Sequence, residues 1–235
     1  MKKDFYLKKI DTRGPITVWI VDGQKIRTKV EREFTNFGQH YRFSCIPENE
    51  FWLDKEAKPN ERRFFIDHLL IEWLAMREGL SYRKAIAIAA QKETAERNKT
   101  DDLKKVTVKK GKLDPKKAHV RLIRELIWGK EKIKVWIVNG RLIRSGWYVD
   151  FTEGGHDFVY KFVPKNEVWI DDDLFARERP YVLLHELNER LLMSKGMTYP
   201  AAHKRSSKIE WEARKDERVL IESLRGLGWA STGSA

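Results

Sequence analysis

The chain has 235 residues, 47 Lys+Arg against 35 Asp+Glu, a formal net charge of +12, and a single cysteine. A 41% hydrophobic content with nine tryptophans excludes wholesale disorder, and lone Cys45 excludes both an intramolecular disulfide and a cysteine-built zinc cluster. The charge favours polyanionic partners such as nucleic acid, or equally marks a Lys/Glu-rich, heat-adapted surface.

The chain reads as a duplication. At a constant offset of 117 residues, Val18-Trp19-Ile20-Val21-Asp22-Gly23 recurs as Val135-Trp136-Ile137-Val138-Asn139-Gly140, and Pro47–Asp54 recurs as Pro164–Asp171. The match runs on without a gap through His68/His185, Glu72/Glu189, Gly79/Gly196, Tyr82/Tyr199, Glu93/Glu210 and Arg97/Arg214, giving 27 identities over 80 positions. The predicted fold class is therefore α+β: a tandem duplication, each repeat a small antiparallel β-sheet packed on an antiparallel helical hairpin.

In chain order, residues 1–97 form the N-terminal repeat. Its strands are followed by two helices, with Gly79 as the stop between them and Ser81 as the next N-cap. Residues 98–130 read as a charged linker, Asn98–Lys117, and a short connecting helix capped at Asp114-Pro115 and ending near Trp128-Gly129. Residues 131–235 form the C-terminal repeat. There Lys134–Val138 alternates as a strand, Asn139-Gly140 is a type I′ hairpin signal, and Leu142–Arg144 starts the return strand. Trp147–Phe151, Asp157–Val163 and Glu167–Ile170 predict three more strands. A helix begins near Arg177, stops at Gly196, and a second runs from Tyr199 behind Thr198 as N-cap, extending through Leu220, Ile221 and Leu224. The small, polar Ala230–Ala235 tail is expected to fray.

The second copy carries the chemistry. His185 and Glu189 are spaced i,i+4 and share a helix face. Glu189 stands seven residues before Gly196 and His203 seven after it, so the two face each other across the hairpin. Glu210 follows His203 by two turns on the same face. His185, Glu189, His203 and Glu210 are thus the candidate metal ligands, a donor set suited to a divalent ion and above all zinc. Glu186 follows the first ligand directly. The string His185-Glu186-Leu187-Asn188-Glu189 resembles the active-site helix of zincin metallopeptidases, with Glu189 where those enzymes have a second histidine and Glu186 at the place of their general base, which makes it the candidate base here. The resemblance implies a zinc-dependent hydrolase acting on peptide bonds, with Glu210 as a fourth ligand or as a carboxylate orienting His203. The wider pattern of Thr152–His156, Val163-Pro164, Glu167–Asp171, the HExxE helix and Gly196…Tyr199…Ala202-His203 resembles uncharacterised proteins of phages and mobile elements. That implies a virus-encoded protein.

The first copy is an internal control. It keeps His68, Glu72 and Glu93, but Leu69 stands for Glu186 and Ile86 for His203, so it cannot assemble the set. The competing reading makes His185–Glu189 and His203–Glu210 two structural polar pairs in a non-enzymatic protein that binds nucleic acid or is a virus-associated interaction protein. Lys104, Lys105, Lys109, Lys110, Lys112, Lys116 and Lys117 would then be the contacts. Trp19, Trp52, Trp136 and Trp169 read as core. His156, opposite Gln39 in the first copy, reads as a turn residue, the alternative being a group that approaches the metal site from the sheet. The absence of any membrane-length apolar run, and of a signal-peptide core in Met1–Tyr6, predicts a cytoplasmic protein.

Overall fold

The computed structural model describes residues 4–229; the 230–235 tail lies outside the described residues. Among the described residues two compact units are present, one running to 107 together with 141–150, the other 108–140 together with the chain from 151. Each contains a four-stranded sheet with helices, as the duplication predicts. Among the described residues no helix is long and apolar enough to cross a membrane.

In the first unit β1 (Tyr6–Arg13), β2 (Ile16–Val21), β3 (Phe37–Gly38) and β4 (Glu50–Asp54) lie in the order β1-β2-β4-β3. The sheet is mixed rather than antiparallel: β1 and β3 pair antiparallel with their neighbours, while β2 and β4 run parallel. The parallel pair needs a crossover, and α1 (Gly23–Lys29) supplies it. This corrects the hairpin reading of Asn139-Gly140, whose counterpart is Asp22-Gly23. Asp22 is a helix N-cap whose side chain accepts from the Lys25 N–H, a role Asp and Asn fill as readily as turn positions. Glycine follows because a Cβ at Gly23 would stand 1.7 Å from Asp54 Oδ2, and one at Gly140 2.0 Å from Asp171 Oδ2.

The remaining elements of the first unit are α2 (Pro59–Arg77), α3 (Tyr82–Asn98) and α4 (Asp102–Val106). Gly79, at φ +91°, ends α2 as predicted. Ser81 occupies the N-cap position of α3 without a side-chain cap bond. Helix α5 (Gly140–Gly146) stands where a return strand was expected, and its Arg144 donates to buried Glu61 at 2.6 Å.

The connecting helix of 98–130 is also corrected. After two short 3₁₀ turns at Lys109–Gly111 and Pro115–Ala118, His119–Trp128 is a ten-residue strand, β5. It pairs antiparallel with β6 (Glu131–Val138), the actual hairpin turn being at Gly129, φ +62°. Register shifts between His119/Arg121 and Leu122/Arg124 break its alternation, which hides the strand period in the sequence. β7 (Gly154–His156) and β8 (Glu167–Asp171) complete the order β5-β6-β8-β7, again with a parallel central pair. Trp147–Phe151 and Asp157–Val163, expected as strands, are turns and loop.

Helices α6 (Arg179–Ser194) and α7 (Tyr199–Ala213) form the hairpin around Gly196, φ +90°. The expected extension of α7 is broken: Asp216 caps a separate α8 (Glu217–Gly226) by accepting from the Arg218 N–H. Ile133, Val135 and Ile137 of β6, Val168 and Ile170 of β8, and Leu183, Leu184 and Leu187 of α6 share one core. Trp52 and Trp169 are fully buried, and each indole N–H donates at 2.8 Å to a glutamate two residues before it, Glu50 or Glu167. These two are core residues, as read from the sequence, whereas Trp19 and Trp136, read the same way, are only half-buried.

Candidate metal centre

The helical hairpin of the first copy shows what this scaffold does without a metal-ligand set. His68 Nδ1 lies 2.7 Å from Glu93 Oε2 and its Nε2 lies 3.6 Å from Glu72 Oε2. Glu93 Oε1 accepts from Arg97, and Arg97 forks onto Glu61 with two contacts of 3.1 Å. At the other end Gln39 of the β3–β4 loop donates to Glu72. Every member is buried. Burial disfavours the His68 cation, but hydrogen bonds to Glu72 and Glu93 outweigh it and raise the pKa to about 9.

The second copy repeats this chain group for group. His185 Nδ1 lies 2.9 Å from Glu210 Oε2, Arg214 donates to Glu210 Oε1, and Arg214 reaches Glu178 at 2.9 Å. His185 Nε2 stands 3.4 Å from Glu189 Oε2. The pairing differs from the sequence expectation. Glu210 sits on His185 Nδ1, the ring nitrogen that points away from Glu189, so it orients His185 rather than His203. A carboxylate there is the usual partner of a metal-ligating imidazole, not a fellow ligand of the same ion.

What the second copy adds converges on Glu189. His203 Nδ1 lies 2.8 Å from Glu189 Oε2 and 3.2 Å from His185 Nε2. Two imidazole nitrogens and one carboxylate oxygen thus form a triangle with sides of 2.8, 3.2 and 3.4 Å. Ligands on a tetrahedral ion with ~2.0–2.1 Å bonds stand roughly 3.3 Å apart, so these residues fit a divalent ion. Three protein donors leave a fourth position open, as in catalytic rather than structural zinc sites. On the α7 side the His203 side chain is 38% exposed, against 4% for Glu189.

Glu186, one residue on from His185, belongs with His156 and Glu189 to a second group of converging donors. Burial pushes its carboxyl up to about 7, against the pull of His185 and His156. Burial also raises Glu189, but hydrogen bonds from His156, His185 and His203 win and hold it well below the carboxylate range. Glu210 is likewise lowered, burial being outweighed by His185 and Arg214. His185 is held well above the ordinary imidazole value, because its bonds to Glu189 and Glu210 overcome burial.

Room for Glu186 comes from a further difference between the copies. In the first, the Phe37 ring stacks on Phe65 and lies 5.6 Å from the His68 ring. Gly154 holds the corresponding place in the second, and a Cβ there would stand 3.1 Å from Glu186 Cγ and from Val182 Cγ1. One member of the site reads in the sequence chiefly as a turn residue. His156 is no simple turn residue: it is fully buried on β7, with Nε2 3.1 Å from Glu189 Oε1. The signal was present in the Gly-Gly-His sequence, but the Gln39 counterpart masked it. No protein-family model, curated protein or solved structure matches this chain.

Proposed function

We propose that the protein is a metal-dependent hydrolase of the zincin type, with one centre in the C-terminal copy and peptide bonds as its substrate. His185, Glu189 and His203 would hold the ion, and zinc is the ion this donor set suits best. The bound ion would supply Lewis acidity, polarising a carbonyl and acidifying water. Glu210 holds the His185 ring by Nδ1, leaving Nε2 turned to the centre. Glu186 is the general base, its carboxylate beside the donor triangle and free of ligand duty.

One observation carries the reading. The two copies share the same chain of five polar groups, and they differ around it at Gln39/His156, Leu69/Glu186, Ile86/His203 and Phe37/Gly154. A polar network that only fixes helix register is already complete in the first copy. The second copy adds two histidines and a glutamate around the same carboxylate and removes the aromatic ring beside it. A structural role leaves the changes to Glu186, His203 and Gly154 without a reason; a metal centre with an adjacent base uses each.

The test is hydrolysis of a quenched-fluorescence peptide library by full-length protein loaded with Zn²⁺. The expected result is turnover that a chelator abolishes, that Zn²⁺ restores, and that Glu186→Gln removes while leaving the metal bound. Full activity in Glu186→Gln, or no turnover in zinc-loaded protein, would overturn the assignment.

A further inference from the structure

We infer that His156 is a positioning residue for the centre and not a ligand: it clamps Glu189 Oε1 so that Oε2 alone faces the two imidazoles. The inference rests on the metal-centre reading above. His156 makes two polar contacts, and one of them fixes where its proton lies. The backbone N–H of Phe158 donates to His156 Nδ1 at 3.3 Å. A backbone N–H can only donate, so Nδ1 carries the lone pair and the proton sits on Nε2. That Nε2–H is 3.1 Å from Glu189 Oε1 and donates to it.

The first copy performs the same role with a group whose donor and acceptor ends differ chemically. Gln39 accepts from the Tyr41 backbone N–H at 2.9 Å through Oε1, and its amide nitrogen donates to Glu72. Tyr41 and Phe158 are themselves equivalent at the 117-residue offset. In both copies a side chain from the sheet edge accepts from the backbone two residues on and donates to the hairpin glutamate. With Oε1 occupied, Glu189 offers Oε2 to the centre, where His203 Nδ1 and His185 Nε2 already stand.

The rival is a second cation held by His156, Glu186 and Glu189, whose donor atoms also converge. Ligation by Nε2 would move the ring proton to Nδ1 and set it against the Phe158 N–H, donor facing donor. The Gln39 parallel gives no support to that arrangement either.

The experiment is a Co²⁺ titration of full-length wild type, His156→Gln, His156→Ala and His203→Ile, reading stoichiometry, affinity by chelator competition, and the visible d–d spectrum. Far-ultraviolet circular dichroism follows the fold. His156→Gln restores the first copy's residue and guards against a variant that simply unfolds. Wild type and His156→Gln are expected to bind one equivalent with the same spectrum and affinities within about threefold. His156→Ala is expected to bind about 10–100-fold more weakly. Its d–d bands should lose intensity as the unclamped carboxylate turns bidentate and raises the coordination number. Two equivalents in wild type with one lost in His156→Gln would overturn the inference in favour of the second cation. So would His156→Gln failing as badly as His156→Ala, or His156→Ala binding like wild type. If that last result accompanies loss of Co²⁺ in His203→Ile, the clamp alone falls and the centre stands. No uptake by wild type defeats both.

Discussion

His68 should make the protein less stable as the pH rises from neutrality, by an amount the structure sets. Its ring is buried between Glu72 and Glu93, and its pKa is raised to about 9 because hydrogen bonds to those carboxylates outweigh burial. Asp150 also faces it, a carboxyl that burial raises and His68 lowers. In the unfolded chain the imidazole returns to ~6.5. A folded pKa above the unfolded one stabilises fully below ~6.5, and that stabilisation is lost as pH rises through ~9. The gap of roughly 2.5 units, at ~1.4 kcal/mol each, amounts to about 3 kcal/mol. Urea denaturation of metal-free wild type and His68→Gln at pH 6, 7.5 and 9.5 isolates the contribution. His185 is common to both proteins and cancels in the difference. The wild type should lose about 3 kcal/mol more than the variant across that range. Parallel pH profiles for the two proteins would refute the reasoning.

Three more outcomes follow from the packing and from the comparison of the copies. Gly154→Ala places a Cβ 2.9 Å from the Trp169 carbonyl oxygen and 3.1 Å from Glu186 Cγ, so it should cost roughly 1–3 kcal/mol and impair turnover, read by thermal melting and the peptide assay. Trp169→Ala and Trp52→Ala remove fully buried indoles and should each cost about 3–5 kcal/mol in urea denaturation. The combined variant Gln39→His, Leu69→Glu, Ile86→His, with Phe37→Gly to open space, should raise bound Zn²⁺ from one equivalent to two by elemental analysis, because the His68–Glu93–Arg97 scaffold is already in place.

Much of the site was legible in the sequence because helices project spacing into space. The i,i+4 pair His185/Glu189 and the equal distances of Glu189 and His203 from Gly196 placed three donors correctly, and His203 does meet Glu189 at 2.8 Å. Glu210 was placed on the right seam but beside the wrong histidine, since a two-turn spacing says which face a residue occupies and not which ring nitrogen it reaches. His156 comes from the sheet, where contacts with the helices depend on a crossover that no local spacing encodes. The crossover itself was misread because Asp22 and Asn139 are as suitable for helix N-caps as for tight turns. β5 went unrecognised because its two register shifts interrupt the two-residue period on which strand recognition depends. The duplication was plain throughout, and the two four-stranded sheets with the same strand order repeat it in three dimensions.

The central claim is a metal ion on His185, Glu189 and His203, and elemental analysis tests it most directly. Full-length protein equilibrated with Zn²⁺ and desalted should retain one equivalent. His203→Ile, which restores the first copy's residue, should retain none while keeping the wild-type circular dichroism spectrum. A wild type without stoichiometric zinc, or a His203→Ile variant that retains as much, would contradict the account.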